Sequence, residues 1–134
     1  MGAWGYDAFE NDEANDWAAA LVEGTGLRLI EDALAAVEAC GADEVRARLA
    51  VEALAACEIV ARLLGRPAAL NAYPRTVDAW AAANPNPVSP ALQARAIACV
   101  DRVARAPSEL RELFEGTPWL NSVAELRSRL QSDR

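Results

Sequence analysis

The sequence predicts an all-α protein, and three observations predict it. Apolar residues recur with the period of a helix through most of the chain. Nowhere do apolar and polar residues alternate over a strand-length run, and no run is rich in β-branched residues. The breaks are helix punctuation: Gly24, Gly41, Gly65, Pro67, Pro85, Pro87, Pro107 and Gly116. The expectation is a compact single-domain bundle of about six or seven helices. Residues 1–10 form an extended aromatic arm packed on it, and residues 11–132 form the bundle.

The arm cannot be a regular helix, because Gly2 and Gly5 are poor helix formers and the aromatics are spaced irregularly. Trp4, Tyr6 and Phe9 left in water would invite aggregation, so they should press onto the bundle. The first helix starts at Asn11 or Asp12, either of which can cap it, with Trp17, Ala20 and Leu21 inward. It stops before Gly24-Thr25-Gly26, a turn between helices: no strand precedes it, so it is not a phosphate loop. The second helix covers 27–40 on a stripe of Leu27, Ile30, Leu34 and Val37, with Gly41 as its C′ residue.

The third helix is the longest. It should start after Asp43 as cap, with Glu44 in its first turn, and run over 44–64. Its inner face is Val45, Leu49, Ala53, Ala56, Val60 and Leu64, and its alanines let neighbours approach closely, so it is placed at the centre. Gly65 and Pro67 end it. A brief helix over 76–83 carries Trp80, and Asn84-Pro85-Asn86-Pro87 is a loop too short to divide two domains. Ser89-Pro90 is a cap followed by proline at the first helical position, opening a helix to Arg105. Ser108 caps a short helix to Glu115 with Leu110, Leu113 and Phe114 inward. Thr117-Pro118 repeats the cap-and-proline signal before a last helix with Val123, Leu126 and Leu130 inward. Ser122 with Glu125 offers a competing start as a capping box.

Composition excludes several chemistries. A chain of 134 residues buries roughly two-thirds of its unfolded surface and needs no metal or disulfide to fold. It has no histidine, and all 13 basic residues are arginine. That removes Ser-His and Cys-His nucleophile pairs, imidazole metal ligands, Schiff-base lysines and the phosphate-loop lysine. With no recognisable catalytic motif either, the reading leans away from an enzyme, and no cofactor is expected. Cys40, Cys57 and Cys99 sit in apolar helical context and read as small hydrophobes of a reducing cytoplasm. No apolar run approaches the ~20 residues of a membrane span, and no secretory signal is expected. Tyr6 stands where a myristoylation signal needs Ser or Thr.

Charge is unevenly spread. Residues 1–58 hold 13 acids against 3 arginines, net −10; residues 59–134 hold 7 acids against 10 arginines, net +3. An acidic front half argues against nucleic acid and suits a basic protein partner or a cation. The plainer reading is solubility combined with charge complementarity between helices.

Candidate sites concentrate near the N-terminus. Asp7, Glu10, Asp12 and Asp16 are oxygen donors of the kind that hold Mg²⁺ or Ca²⁺, and Asp12 and Asp16 share a helix face. EF-hand spacing is absent, and short polar side chains beside a helix start usually cap it, so no metal is expected and the four are weak candidates. Glu38, Glu44, Glu52 and Glu58 lack the spacing of helical metal sites and read as a solvated face. Arg62, Arg66, Arg102 and Arg105 lie near helix C-termini, where they complement the dipole. Trp4, Gly5, Phe9, Asn11, Asp12, Asp16 and Trp17 form either a structural latch with a helix cap or a partner surface.

Those last residues carry a resemblance. Met1, Gly2, Trp4 and Gly5, then Phe9, Asn11, Asp12, Ala14 and Asp16, match the opening of the bacterial domain-of-unknown-function family 4259. Residues 108–116, SELRELFEG, resemble it too, with Phe114 where a tryptophan is expected; Trp119 and 126–130 also fit. The resemblance spans nearly the whole chain and implies a small bacterial helical protein, with no activity, cofactor or catalytic residue attached to it. Two functions are expected from the residues themselves. The first is a non-enzymatic binding or regulatory protein, of immunity type, that engages a basic protein through its acidic front. The alternative is a carboxylate-based divalent-metal protein or hydrolase using the N-terminal acids.

Overall fold

The computed structural model describes residues 12–24, 27–66, 75–84 and 87–131. These residues form seven helices and no strand: α1 (Asp12–Leu21), α2 (Arg28–Glu38), α3 (Ala47–Leu63), α4 (Arg75–Ala83), α5 (Pro90–Ala104), α6 (Glu109–Leu113) and α7 (Trp119–Gln131). The arm expected over 1–10 lies outside the described residues, as does the Asn11 cap.

Helix α3 is the centre, packing against each of the other six. Its sequence explains why. From Ala53 to Ala61 every residue is buried, so the helix is enclosed on all sides. Six of those nine residues are alanine, cysteine or valine, small enough for neighbouring helix axes to come close. Gly65 closes it with φ +85, donating to Arg62 O at 3.1 Å while the Arg66 N–H reaches Ala61 O at 2.8 Å. This is the Schellman pattern, and its left-handed residue favours glycine.

The surrounding helices present one stripe each. In α1 it is Ala14, Trp17, Ala18 and Leu21, while Ala20, expected inward, faces solvent. Ile30, Ala33, Leu34 and Val37 supply α2; Leu92, Ala96, Cys99, Val100 and Val103 supply α5; Trp119, Val123, Leu126 and Leu130 supply α7. Trp80 of α4 is buried, and its indole N–H donates to Gly24 O at 2.6 Å, fixing the turn after α1. Ser89 caps α5 by accepting from the Leu92 N–H at 3.0 Å, with Pro90 at the first turn.

Three expectations are corrected, and the open start of the last helix is resolved in favour of Thr117-Pro118. Helix α2 ends at Glu38, so Gly41, with φ +55, lies in the following turn and is not C′. Helix α3 begins at Ala47, not at residue 44, and Asp43 does not cap it. Val45 explains the difference: its N–H donates to Pro107 O at 3.1 Å and its C=O accepts from the Glu109 N–H at 2.9 Å. With its backbone groups pairing across the chain in an isolated bridge to Ser108, Val45 cannot join a helical ladder. Leu113 is 59% exposed, because α6 ends there and only Leu110 turns fully inward. Helix α7 runs unbroken from Trp119, so Ser122 and Glu125 are interior positions.

Candidate functional site

The N-terminal motif divides at the residues described. Trp17 is in the core at 8% exposure, whereas Asp12 and Asp16 are exposed on the opposite face of α1. Trp4, Gly5, Asp7, Phe9, Glu10 and Asn11 lie outside the described residues. Among the described residues no group of three or more Cys, Asp or Glu side chains gathers to hold a metal ion.

Two buried charges were misread from sequence. Glu58 was expected on a solvated face but is 5% exposed within α3. Arg129 of α7 grips it with Nη1 at 2.6 Å from Oε2 and Nη2 at 2.9 Å from Oε1. The same guanidinium donates to Arg66 O at 3.0 Å and, through Nε, to Glu125 at 2.7 Å. Burial opposes the charge on Arg129, but the bonds to Glu58 and Glu125 outweigh it and raise the guanidinium pKa. Arg66 returns a bond to Arg129 O at 3.1 Å, so the end of α3 and the end of α7 are tied in both directions. The signal was present in the sequence: one acid in the buried run AACEIVA must have a partner.

Arg102 is the second. It is 8% exposed and donates to four carbonyls: Gly41 (3.0 Å), Asp43 (2.6 Å), Arg105 (3.0 Å) and Pro107 (3.2 Å). It therefore joins the turn before α3 to the link between α5 and α6, and its donors face backbone rather than an external anion. Glu109 completes that junction: its Oε1 accepts the Ala47 N–H at 2.7 Å, closing the first turn of α3 from α6. Neither junction can be read locally, since Gly41 and Asp43 lie 61 and 59 residues from Arg102, and Ala47 lies 62 from Glu109.

The thiols are ordered by depth. Cys57 and Cys99 are buried and free, with Cys57 donating to Ala96 O at 3.5 Å; Cys40 is half-buried. Hydrogen bonding with Cys99, together with burial, pushes the Cys57 thiol well above the usual thiol range. Both are packed in the core, and Cys57 is far from the thiolate that a nucleophile requires.

At the surface, acids and arginines behave differently. Arg95 pairs with Glu38 at 2.8 and 3.0 Å, Arg127 with Asp101 at 2.6 and 3.2 Å, and Arg62 with Asp78 at 3.5 Å. The guanidinium beside it lowers the Glu38 pKa and the carboxylate raises that of Arg95. In contrast, the carboxylates of Asp12, Glu13, Asp16, Glu23, Asp43 and Glu44 are exposed and unpaired among the described residues. Their elements, α1, the turns and the approach to α3, belong to the acidic half of the chain.

A groove of about 270 Å³ opens at the corner between α6 and α7, lined by Ala106, Arg111, Glu112, Phe114, Glu115 and Leu120 among others. Phe114 of this lining stacks on the buried Trp119 with ring centroids 6.0 Å apart and planes 20° apart. Sequence reasoning placed Leu113 and Phe114 in the core and so missed this surface. No helix among the described residues is long and apolar enough to cross a membrane.

The family model described as a domain of unknown function, DUF4259, matches residues 2–125. No curated protein and no solved structure matches the chain.

Proposed function

The chain belongs to the DUF4259 family, and from its geometry we propose that it is a non-enzymatic binding protein, of regulatory or immunity type, that engages a basic protein partner. The supporting observation is the asymmetry of its charges. In a chain with net charge −7, Arg62, Arg95, Arg127 and Arg129 pair with carboxylates of the chain itself, and Arg102 is buried against backbone carbonyls. The exposed carboxylates of α1 and of the loop before α3 have no such partner among the described residues. The charge left facing outward is therefore negative, which speeds encounter with a cationic surface and repels phosphate backbones. The proposed setting is the cytoplasm, where the three free cysteines remain reduced.

The test is affinity capture with the immobilised full chain at low and at moderate salt. The expected result is a stoichiometric basic protein whose retention weakens as salt rises. Absence of any stoichiometric partner at both salts counts against the reading.

A further inference from the structure

We propose that the corner between α6 and α7 is a docking groove for a protein segment in which arginine or lysine flanks a large apolar side chain. This rests on the reading above of a basic protein partner and names the surface and the segment.

Leu113 and Leu120 are the exposed large hydrophobic residues among those described, at 59% and 42% exposure. Single exposed leucines are ordinary. Here Leu120 lines the groove and Leu113 directly precedes Phe114, which also lines it, so both sit at one corner. Phe114, one of the lining residues, stacks on the buried Trp119, which gives the groove an aromatic floor anchored in the core. Such floors hold the apolar anchors of protein interfaces. At about 270 Å³ the space falls at the lower edge of the roughly 300–1,000 Å³ of small-molecule pockets and suits one or two side chains.

The rim decides the charge of the occupant. Glu112 and Glu115 are exposed and carry no ion pair among the described residues. Arg111 also lines the groove, with Nη1 donating to the Ala104 carbonyl at 2.5 Å, so the two carboxylates leave the lining net negative by one charge. The bridge between Val45 and Ser108 brings the loop before α3 to this end of the bundle, and that loop bears the unpaired Asp43 and Glu44. That loop therefore lies beside the start of α6, the helix whose far end carries Glu112, with Glu115 just beyond it. A second copy of the chain would set these carboxylates against one another, whereas a basic segment complements them. The mount is preorganised: Ser108 caps α6 at the Arg111 N–H, Glu109 is fixed to Ala47, and the Thr117 hydroxyl donates to Phe114 O at 2.5 Å. Little ordering is left for binding to impose.

The experiment titrates the ¹⁵N-labelled full chain with a short synthetic peptide alternating arginine and leucine, at near-physiological ionic strength. The expected result is amide shifts confined to residues 106–120. The double variant Leu113→Ser/Leu120→Ser, folded by its unchanged melting curve, should bind about tenfold more weakly or worse. Glu112→Gln/Glu115→Gln should give a smaller loss that fades at high salt. Shifts on α1 and α2 that ignore the leucine variant overturn the groove and leave the basic-partner reading standing. Failure of the peptide to shift any amide, while the capture experiment still yields a basic protein, overturns the groove alone; failure of both overturns both. Equal binding of a glutamate-leucine peptide overturns the charge argument. Broadening over residues 106–120 that grows with protein concentration in the absence of peptide assigns the groove to a second copy and overturns the proposal.

Discussion

Arg102 shows how far one residue's role can lie from its apparent one. Near a helix C-terminus it looks like a dipole complement, yet it is buried and satisfies four carbonyls from two separate turns. Arg102→Met keeps much of the apolar stem and strands those acceptors away from water. Hydrogen bonds to charged groups are worth about 1.5–3 kcal/mol each in mutational series, with strong overlap between neighbours. The variant should lose about 3 kcal/mol in urea denaturation; a loss within error of zero would falsify the clasp. The cysteines give a second test at this scale. Cys40 should react with a thiol reagent in the native protein, and Cys57 and Cys99 only on unfolding, because both are buried and the Cys57 thiol is held protonated. Mass spectrometry after a timed exposure counts the modified thiols.

At the scale of the helix, legibility depended on where each partner sits in the chain. Ser89, Pro90 and Ser108 were readable because a cap acts within three residues. The stripe residues Ile30, Leu34, Val37, Leu92, Val123 and Leu126 were readable because a helical period needs no knowledge of the neighbour. The start of α3 was not, since Val45 follows a local helix signal only until a distant backbone competes for its hydrogen bonds. Nor was the exposure of Leu113, an apolar residue on a helix too short to turn it inward. Of the N-terminal motif, Trp17 is placed in the core, and Asp12 and Asp16 on the solvent face. The α6–α7 groove was missed because its apolar residues, Phe114 and Leu120, carry the same signal as the core. Glu109→Ala tests the remote cap: it should cost about 1 kcal/mol and speed hydrogen exchange at the Ala47 amide with little effect at mid-α3. Unchanged exchange at Ala47 would show that water replaces the carboxylate at no loss.

For the whole molecule, ion pairs join the acidic half of the chain to its arginine-rich half, Glu38 to Arg95 and Glu58 to Arg129. Their exposure ranks them. The Glu58 pair is desolvated, so removing one partner leaves an uncompensated buried charge and costs about 3–5 kcal/mol. The Glu38 pair is at the surface, where screening limits it to about 1 kcal/mol or less. Its pH dependence has a definite sign. The Glu38 pKa is lowered in the folded protein from an ordinary value of 4.5. Its contribution is therefore complete above that value and disappears as pH falls through the folded pKa. Glu38→Gln should lower stability slightly at neutral pH and give a shallower loss on acidification below about 4.5 than the parent chain. Parallel acid curves for the two proteins would count against the pair.

Helix α3 is central in space, yet both of its ends are finished by residues near the other end of the chain. Glu109 closes its first turn, and Arg129 neutralises Glu58 and fastens Arg66 just beyond its last. In synthesis from the N-terminus, α3 is made before either residue. The growing chain thus carries an all-round apolar helix with an uncovered Glu58 until α6 and then α7 emerge. The middle of the molecule is therefore the part completed last, since Glu58 gains its guanidinium partner only with Arg129.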